Sequence, residues 1–288
     1  GSEETSDPPR RGAGGLTMKG LLSQHTGKRE ITLDLKRRHL GSQRRQLATL
    51  LSPELRLEIR EKLFSLHGQA EFYYMNVDLS ENDLTAECAA VLVAFLLSLH
   101  SGGVESDSKK GKGGKAKQSP PVYVHGLRLF KNRLGDEGAK QVAHLIIEQP
   151  KPITDLHLSH NGLTSLGAAI IVLAFGACRQ AAYPFRLPYR HGVFCGCWVR
   201  MEWNGIESPE ALVLALKGEG AVRLLETTWA QRDWGPLRSP SWAKCAEDVP
   251  HCILHIFDMQ DTGKSGGGWK GGGKAGKKEV SAAKECCK

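Results

Sequence analysis

Leu127-Arg-Leu129-Phe-Lys-Asn132-Arg-Leu134 is the stretch on which the fold of this chain turns. Side chains alternate between the two faces of a strand, so Leu127 and Leu129 point the same way. Asn132 falls where the strand ends, and its amide can bond backbone groups that lack a ladder partner there. Leu134 then folds back beneath the strand. The template returns three times, at Val77-Asp-Leu79-Ser-Glu-Asn82-Asp-Leu84, Leu156-His-Leu158-Ser-His-Asn161-Gly-Leu163 and Val199-Arg-Met201-Glu-Trp-Asn204-Gly-Ile206.

The segment after each Asn is repetitive too. Aligned on the Asn, Ala89, Leu92, Val93 and Leu96 share columns with Ala139, Val142, Ala143 and Ile146. Ala168, Ile171, Val172 and Phe175 continue the columns, then Ala211, Leu214, Ala215 and Gly218. Offsets of i, i+3, i+4 and i+7 mark one face of a helix. Strand, Asn turn and amphipathic helix, stacked side by side, make the leucine-rich repeat. The chain resembles the ribonuclease-inhibitor-like class, whose units run to about 28 or 29 residues; Asn132 to Asn161 is 29. The resemblance implies an α/β solenoid, a horseshoe with a parallel concave sheet, outer helices and degenerate terminal caps. Such solenoids usually bind a protein partner on the concave face, although fold alone names no function.

On the N-terminal side, residues 1–29 are rich in Gly, Ser, Pro and charge and are expected to be disordered. Leu33-Asp-Leu35-Lys-Arg-Arg38-His-Leu40 is a degenerate first repeat with Arg38 in the Asn position. Ser52-Pro53 starts a capping helix whose apolar face is Leu55, Ile59, Leu63 and Leu66, stopped by Gly68. The repeat domain spans 30–260 with two insertions. Residues 101–121 form a Lys/Gly loop of low complexity. Residues 181–196 carry Tyr183, Phe185, Tyr189 and Phe194, and are expected to order against the body. Residues 221–260 read as a C-terminal cap, with strands near 222–229 and 252–257. Residues 261–288 read as a flexible basic Gly/Lys tail.

The net charge is +8, with 40% hydrophobic and 24% charged residues. Five Lys against two acids give 101–121 a charge of +3, and seven Lys against three acids give 261–288 a charge of +4. About +1 is left for everything else. The basicity lies in the insertion and the tail, which makes RNA or an acidic partner the alternative to a protein on the sheet. The contacts there would come from Lys109, Lys110, Lys112, Lys115, Lys117, Lys264, Lys270 and Lys274, with Trp269 to stack on a base. No run of apolar residues is long enough to cross a bilayer and no secretory leader is visible, so no membrane is expected and an intracellular location, cytoplasmic or nuclear, is.

The strand residues that flank the buried pairs point to the open side of the sheet. Arg128, Phe130, His157, Trp198 and Arg200 lie there, with Lys131, His160 and Trp203 at the strand exits. Trp, Tyr and Arg dominate binding hot spots, so Arg128, Phe130, His157, Trp198, Arg200 and Trp203 are the candidate protein-binding residues. Phe130 and Trp198, two strands apart, would flank a slot about 10 Å wide. The competing reading has 181–196 fold over these rings and make them core. Cys195, Cys197, Cys245 and Cys252 could meet at a zinc ion, but no Cys-x-x-Cys pair occurs, and no metal or cofactor is expected. No protease, hydrolase, kinase or P-loop signature is present, so an enzyme is not expected. Some GTPase-activating proteins use this repeat class, which keeps that role as a minor alternative.

Overall fold

A computed structural model describes residues 21–24, 30–41, 44–101, 119–178, 183–186, 194–226, 249–256 and 275–287. The four template stretches supply β3 (Tyr73–Asp78), β4 (Val122–Arg128), β5 (Asp155–His157) and β8 (Cys197–Arg200). After them come α3 (Ala86–Ser98), α4 (Gly135–Glu148), α5 (Ser165–Ala177) and α6 (Pro209–Glu219). The degenerate first repeat is β2 (Glu30–Asp34), followed by α1 (Arg44–Leu50) and α2 (Pro53–His67). These strands pair side by side and parallel, giving an α/β fold with a mostly parallel sheet.

The core tracks the repeat columns. Val77, Leu79, Leu127, Leu129, Leu156, Leu158, Val199 and Met201 are buried on one side of the sheet. Against them lie the expected faces of α3, α4 and α5, every residue of which is buried. The fourth helix departs from its columns. Leu214 is 68% exposed, while Leu212, Val213 and Leu216 are buried beside Ala211. The cause is α7 (Ala275–Cys286), which lies against both α5 and α6. It adds a second buried direction to α6. The tail expected to be solvated throughout therefore ends in a docked helix, with Val280 and Ala283 buried.

Both ends of the sheet differ from the sequence reading. Residues 1–29 contain β1 (Leu22–Gln24), which pairs antiparallel with β2. Leu21 and Leu22 are buried there, so apolar side chains hold down part of a segment whose composition suggests disorder. At the other end, β10 (Cys252–His255) inserts between β8 and β9 (Leu224–Glu226), parallel to both. The strand next in sequence is thus not next in space. Within the aromatic insertion, β6 (Phe185–Arg186) pairs antiparallel with β7 (Phe194–Cys195). The Tyr183 hydroxyl accepts a hydrogen bond from Ile153 N at 2.7 Å, and its ring meets Phe175 edge-on at 5.0 Å.

Two local devices shape the open side. Val124 pairs with Met75 and Gly126 with Asn76, so His125 is an extra residue, a bulge in β4. The backbone of Val124 is completed by the buried Gln149 side chain, which accepts from its N–H at 2.9 Å and donates to its carbonyl at 2.8 Å. Gly126 lets the Asn76 side chain lie close over β4, since a Cβ there would meet Asn76 Oδ1 at 2.7 Å and push that amide aside.

The Asn column is the device that joins repeats. Asn132 Oδ1 accepts from Asn82 N at 3.1 Å and Leu84 N at 2.9 Å. Its Nδ2 donates to Leu79 O at 3.0 Å and Leu129 O at 2.8 Å. Asn82 makes the same bonds into the degenerate first repeat, and Asn204 into the repeat of Asn161. Each of these side chains thus bonds the turn of its own repeat and that of the one before.

Candidate binding surface on the open side of the sheet

The register places Asp34, Asp78, Arg128, His157, Arg200 and His255 in one row across six strands. The next row toward the strand starts holds Asn76, Gly126, Asp155, Trp198 and Ile253. Asp155 reaches both guanidiniums, with its carboxylate oxygens 3.5 Å from Arg128 Nε and 3.5 Å from Arg200 Nη2. It pairs with two cations that stand two strands apart.

Beyond these rows the strands exit through the residue before each Asn. Arg37, Glu81, Lys131, His160 and Trp203 all have left-handed backbone there, with φ between 52° and 61°. A side chain in that conformation leaves the strand alternation and turns over its neighbour. Its backbone cost of about 1–2 kcal/mol persists because the surrounding bonds over-determine it. The result is a strip of rings. Phe130 stacks on His157 at 5.0 Å and 27°, and meets His160 edge-on at 5.3 Å. His160 in turn stacks on Trp203 at 5.7 Å and 7°. Lys131 Nζ lies 5.3 Å from the centre of the Phe130 ring. Phe130, His157, His160 and Trp203 are half-buried, while Arg128 and Lys131 are exposed.

Five of the six residues singled out from the sequence are therefore brought together, and the sixth is not. Trp198 is only 6% exposed and belongs to the core. Beside it in register, Ile253 of the inserted strand β10 is fully buried, so this end of the open side is packed. The slot expected between Phe130 and Trp198 is also filled, because the His157 ring stacks on Phe130. His160 and Asp155 join the surface without having stood out as candidates in the sequence. Their roles depend on the left-handed turn and on a diagonal cross-strand reach, neither of which alternation reveals. A second cluster carries no signal in the repeat template either. Phe72, Tyr74, Tyr123 and His125 meet at the strand starts, with Lys151 Nζ 4.4 Å from the Phe72 ring centre.

Charge at the strip is set by burial. Desolvation, reinforced by Arg200 and Arg128, pushes His157 down to about 3, and burial pushes His100 down to about 4. Both imidazoles are neutral at pH 7. In the unfolded chain each binds a proton near pH 6.5, so the unfolded state holds more protons below that pH. The stability due to their neutral burial is present in full above about pH 6.5 and is lost as the pH falls toward 4 and 3. Between pH 7.5 and 5 the loss should reach about 2 kcal/mol for each. His157→Gln and His100→Gln should each flatten the pH dependence of the urea midpoint, and an unchanged slope would refute the assignment.

Lys109, Lys110, Lys112, Lys115, Lys117, Lys264, Trp269, Lys270 and Lys274 lie outside the described residues, as does Cys245. Cys197 and Cys252 sit opposite one another on β8 and β10. Burial pushes Cys195 and Cys252 up to about 12 and raises Cys197 well above the usual thiol range, so all three are neutral thiols. Among the described residues, no group of three or more His, Cys, Asp or Glu is placed to hold a metal ion. Nor is any helix among them long and apolar enough to cross a membrane.

Comparison with known proteins bears on the repeats. The Leucine Rich repeat family model matches residues 124–143 and 150–171. No curated protein matches the chain. The two matched segments cover β4 with the start of α4, and β5 with the start of α5, which are consecutive units of the sheet. The chain carries leucine-rich repeats.

Proposed function

We propose that this protein is a non-catalytic scaffold that binds a protein partner on the concave, open side of a ribonuclease-inhibitor-like horseshoe. Leucine-rich repeats in general serve as protein-interaction modules. The 29-residue step from Asn132 to Asn161, with a full helix in each unit, supports the subclass. The observation that carries the site is the half-exposed ring strip Phe130, His157, His160 and Trp203, edged by Lys131, Arg128 and Arg200. Aromatic rings held in place by stacking bury area on binding with little entropy left to lose, and Arg beside them adds directional bonds. The neutral His157 lets the strip be desolvated without stranding a charge.

Affinity capture with the full chain, with and without RNase, would supply the partner and separate a protein bound directly from one bridged by RNA. Against the captured protein, Trp203→Ala and Phe130→Ala should each weaken binding by about 2 kcal/mol or more. Thermal stability should change little for Trp203→Ala, since its ring is stacked at the surface. Undiminished binding by both variants would place the interface elsewhere, and capture that disappears with RNase would favour the Lys-rich segments.

A further inference from the structure

Helix α5 carries two apolar stripes. Ala168, Ile171, Val172 and Phe175 face the sheet, as the matching residues of α3 and α4 do. Leu166, Ala169, Ile170 and Leu173 form a second i, i+3, i+4, i+7 stripe on the other side. One repeat earlier, the same positions of α4 are Glu137, Lys140, Gln141 and His144, the polar surface that an outer helix needs. One repeat later, α6 has Leu212, Val213 and Leu216 in three of these positions. Two neighbouring outer helices thus present an apolar groove away from the sheet, and α7 lies in it.

The helix in the groove is slight. It contributes Val280 and Ala283 as fully buried side chains, with Lys284 and Cys287 half-buried on the same face. Lys284 pairs with Glu219 of α6, and the Cys287 thiol donates to Ile170 O at 3.6 Å. Lys277, Lys278, Ser281, Ala282, Glu285 and Cys286 are exposed. Residues 257–274, which join β10 to α7, have a Gly- and Lys-rich sequence. A helix this short is marginal alone and depends on its docked face.

We propose that α7 is a detachable strap, closing in cis a helix-binding groove on the outer side of α5 and α6, and that it opens as a unit while the repeats stay folded. Local opening of this kind draws on elements that bury little apolar surface, and α7 buries two apolar side chains, Val280 and Ala283. The tether keeps α7 at high effective concentration, so the closed form dominates and a free helix of the same sequence is excluded.

The test uses the full chain and two probes, N-ethylmaleimide and a synthetic peptide of residues 275–287. In the wild type, burial should make Cys287 react with maleimide about tenfold more slowly than exposed Cys286, as read by peptide mass spectrometry. Val280→Asp should bring the two rates within about twofold and let the peptide bind at least about tenfold more tightly than it binds the wild type. Lys284→Glu should do the same more mildly, and Glu219→Lys in the same chain should restore protection. Throughout, the amides near Asn132 should keep their hydrogen-exchange protection. Equal reactivity of the two thiols in the wild type would overturn the proposal, as would failure of the peptide to bind the opened variants. Loss of protection near Asn132 in both variants would also overturn it, because α7 would then be integral to the core.

Discussion

Truncating Trp198 to alanine should lower stability by about 3–5 kcal/mol, the range for removing a buried aromatic ring. The side chain is on the open side of the sheet by strand alternation, yet it is 6% exposed. It sits between Asp155 on β5 and the fully buried Ile253 on β10. A large cavity would open there, at the strand that joins the repeats to the terminal pair β10 and β9. Trp198→Phe keeps most of the volume and should recover much of the loss. Trp203→Ala, five residues on, supplies the contrast. Its ring stacks on His160 at the surface, so stability should move little while binding falls. Urea unfolding of the three variants decides the matter. A Trp198→Ala cost below about 1 kcal/mol would mean that the ring is not core and that it belongs with the binding strip after all.

The contrast between these two tryptophans marks how far the sequence can be read. The repeats are legible because period and spacing are local properties. Leu127 and Leu129, the Asn after them and the helix columns all derive from alternation and from the 3.6-residue turn. Row membership on the open side is legible for the same reason. Exposure is not. It depends on which strand lies alongside, and β10 reaches β8 by passing over β9 in sequence order. The ring strip is hidden for a related cause, since His160 meets Trp203 only because both precede an Asn in left-handed backbone. The docked helix α7 is masked by its composition, as two apolar side chains among Gly and Lys resemble a solvated tail. Its docking site nevertheless stands in the sequence. The second apolar stripe of α5, Leu166, Ala169, Ile170 and Leu173, cannot face water and demands a cover.

The second large effect is expected at Asn132, and it separates two residues that the repeat template treats as equal. Asn132→Ala would leave the N–H groups of Asn82 and Leu84 without their acceptor, in a turn that is buried. Its carbonyl partners suffer less. Leu79 O still receives Asn82 Nδ2, and Leu129 O still receives Asn161 Nδ2. Two orphaned buried donors at about 1–3 kcal/mol each give an expected loss of roughly 2–6 kcal/mol. Asn161 is different. The N–H of Asn132 donates to His160 O at 3.1 Å, and among the described residues Asn161 Oδ1 has no hydrogen-bond partner. Its Nδ2 partners Leu129 O and Leu158 O keep bonds from Asn132 and Asn204. Asn161→Ala should therefore cost clearly less than Asn132→Ala. Asn132→Asp distinguishes acceptor from donor. It preserves the acceptor for the two N–H groups but sets a carboxylate oxygen against Leu79 O and Leu129 O, which favours the protonated form. The folded pKa of the new Asp would be raised above its unfolded value near 4. Its stability deficit would then shrink as the pH falls through that window and grow as it rises. Chemical denaturation of the three variants at pH 5 and pH 7.5 reads all of this. Equal losses for Asn132→Ala and Asn161→Ala would show that the repeats are joined by packing alone, with the amide ladder adding nothing specific.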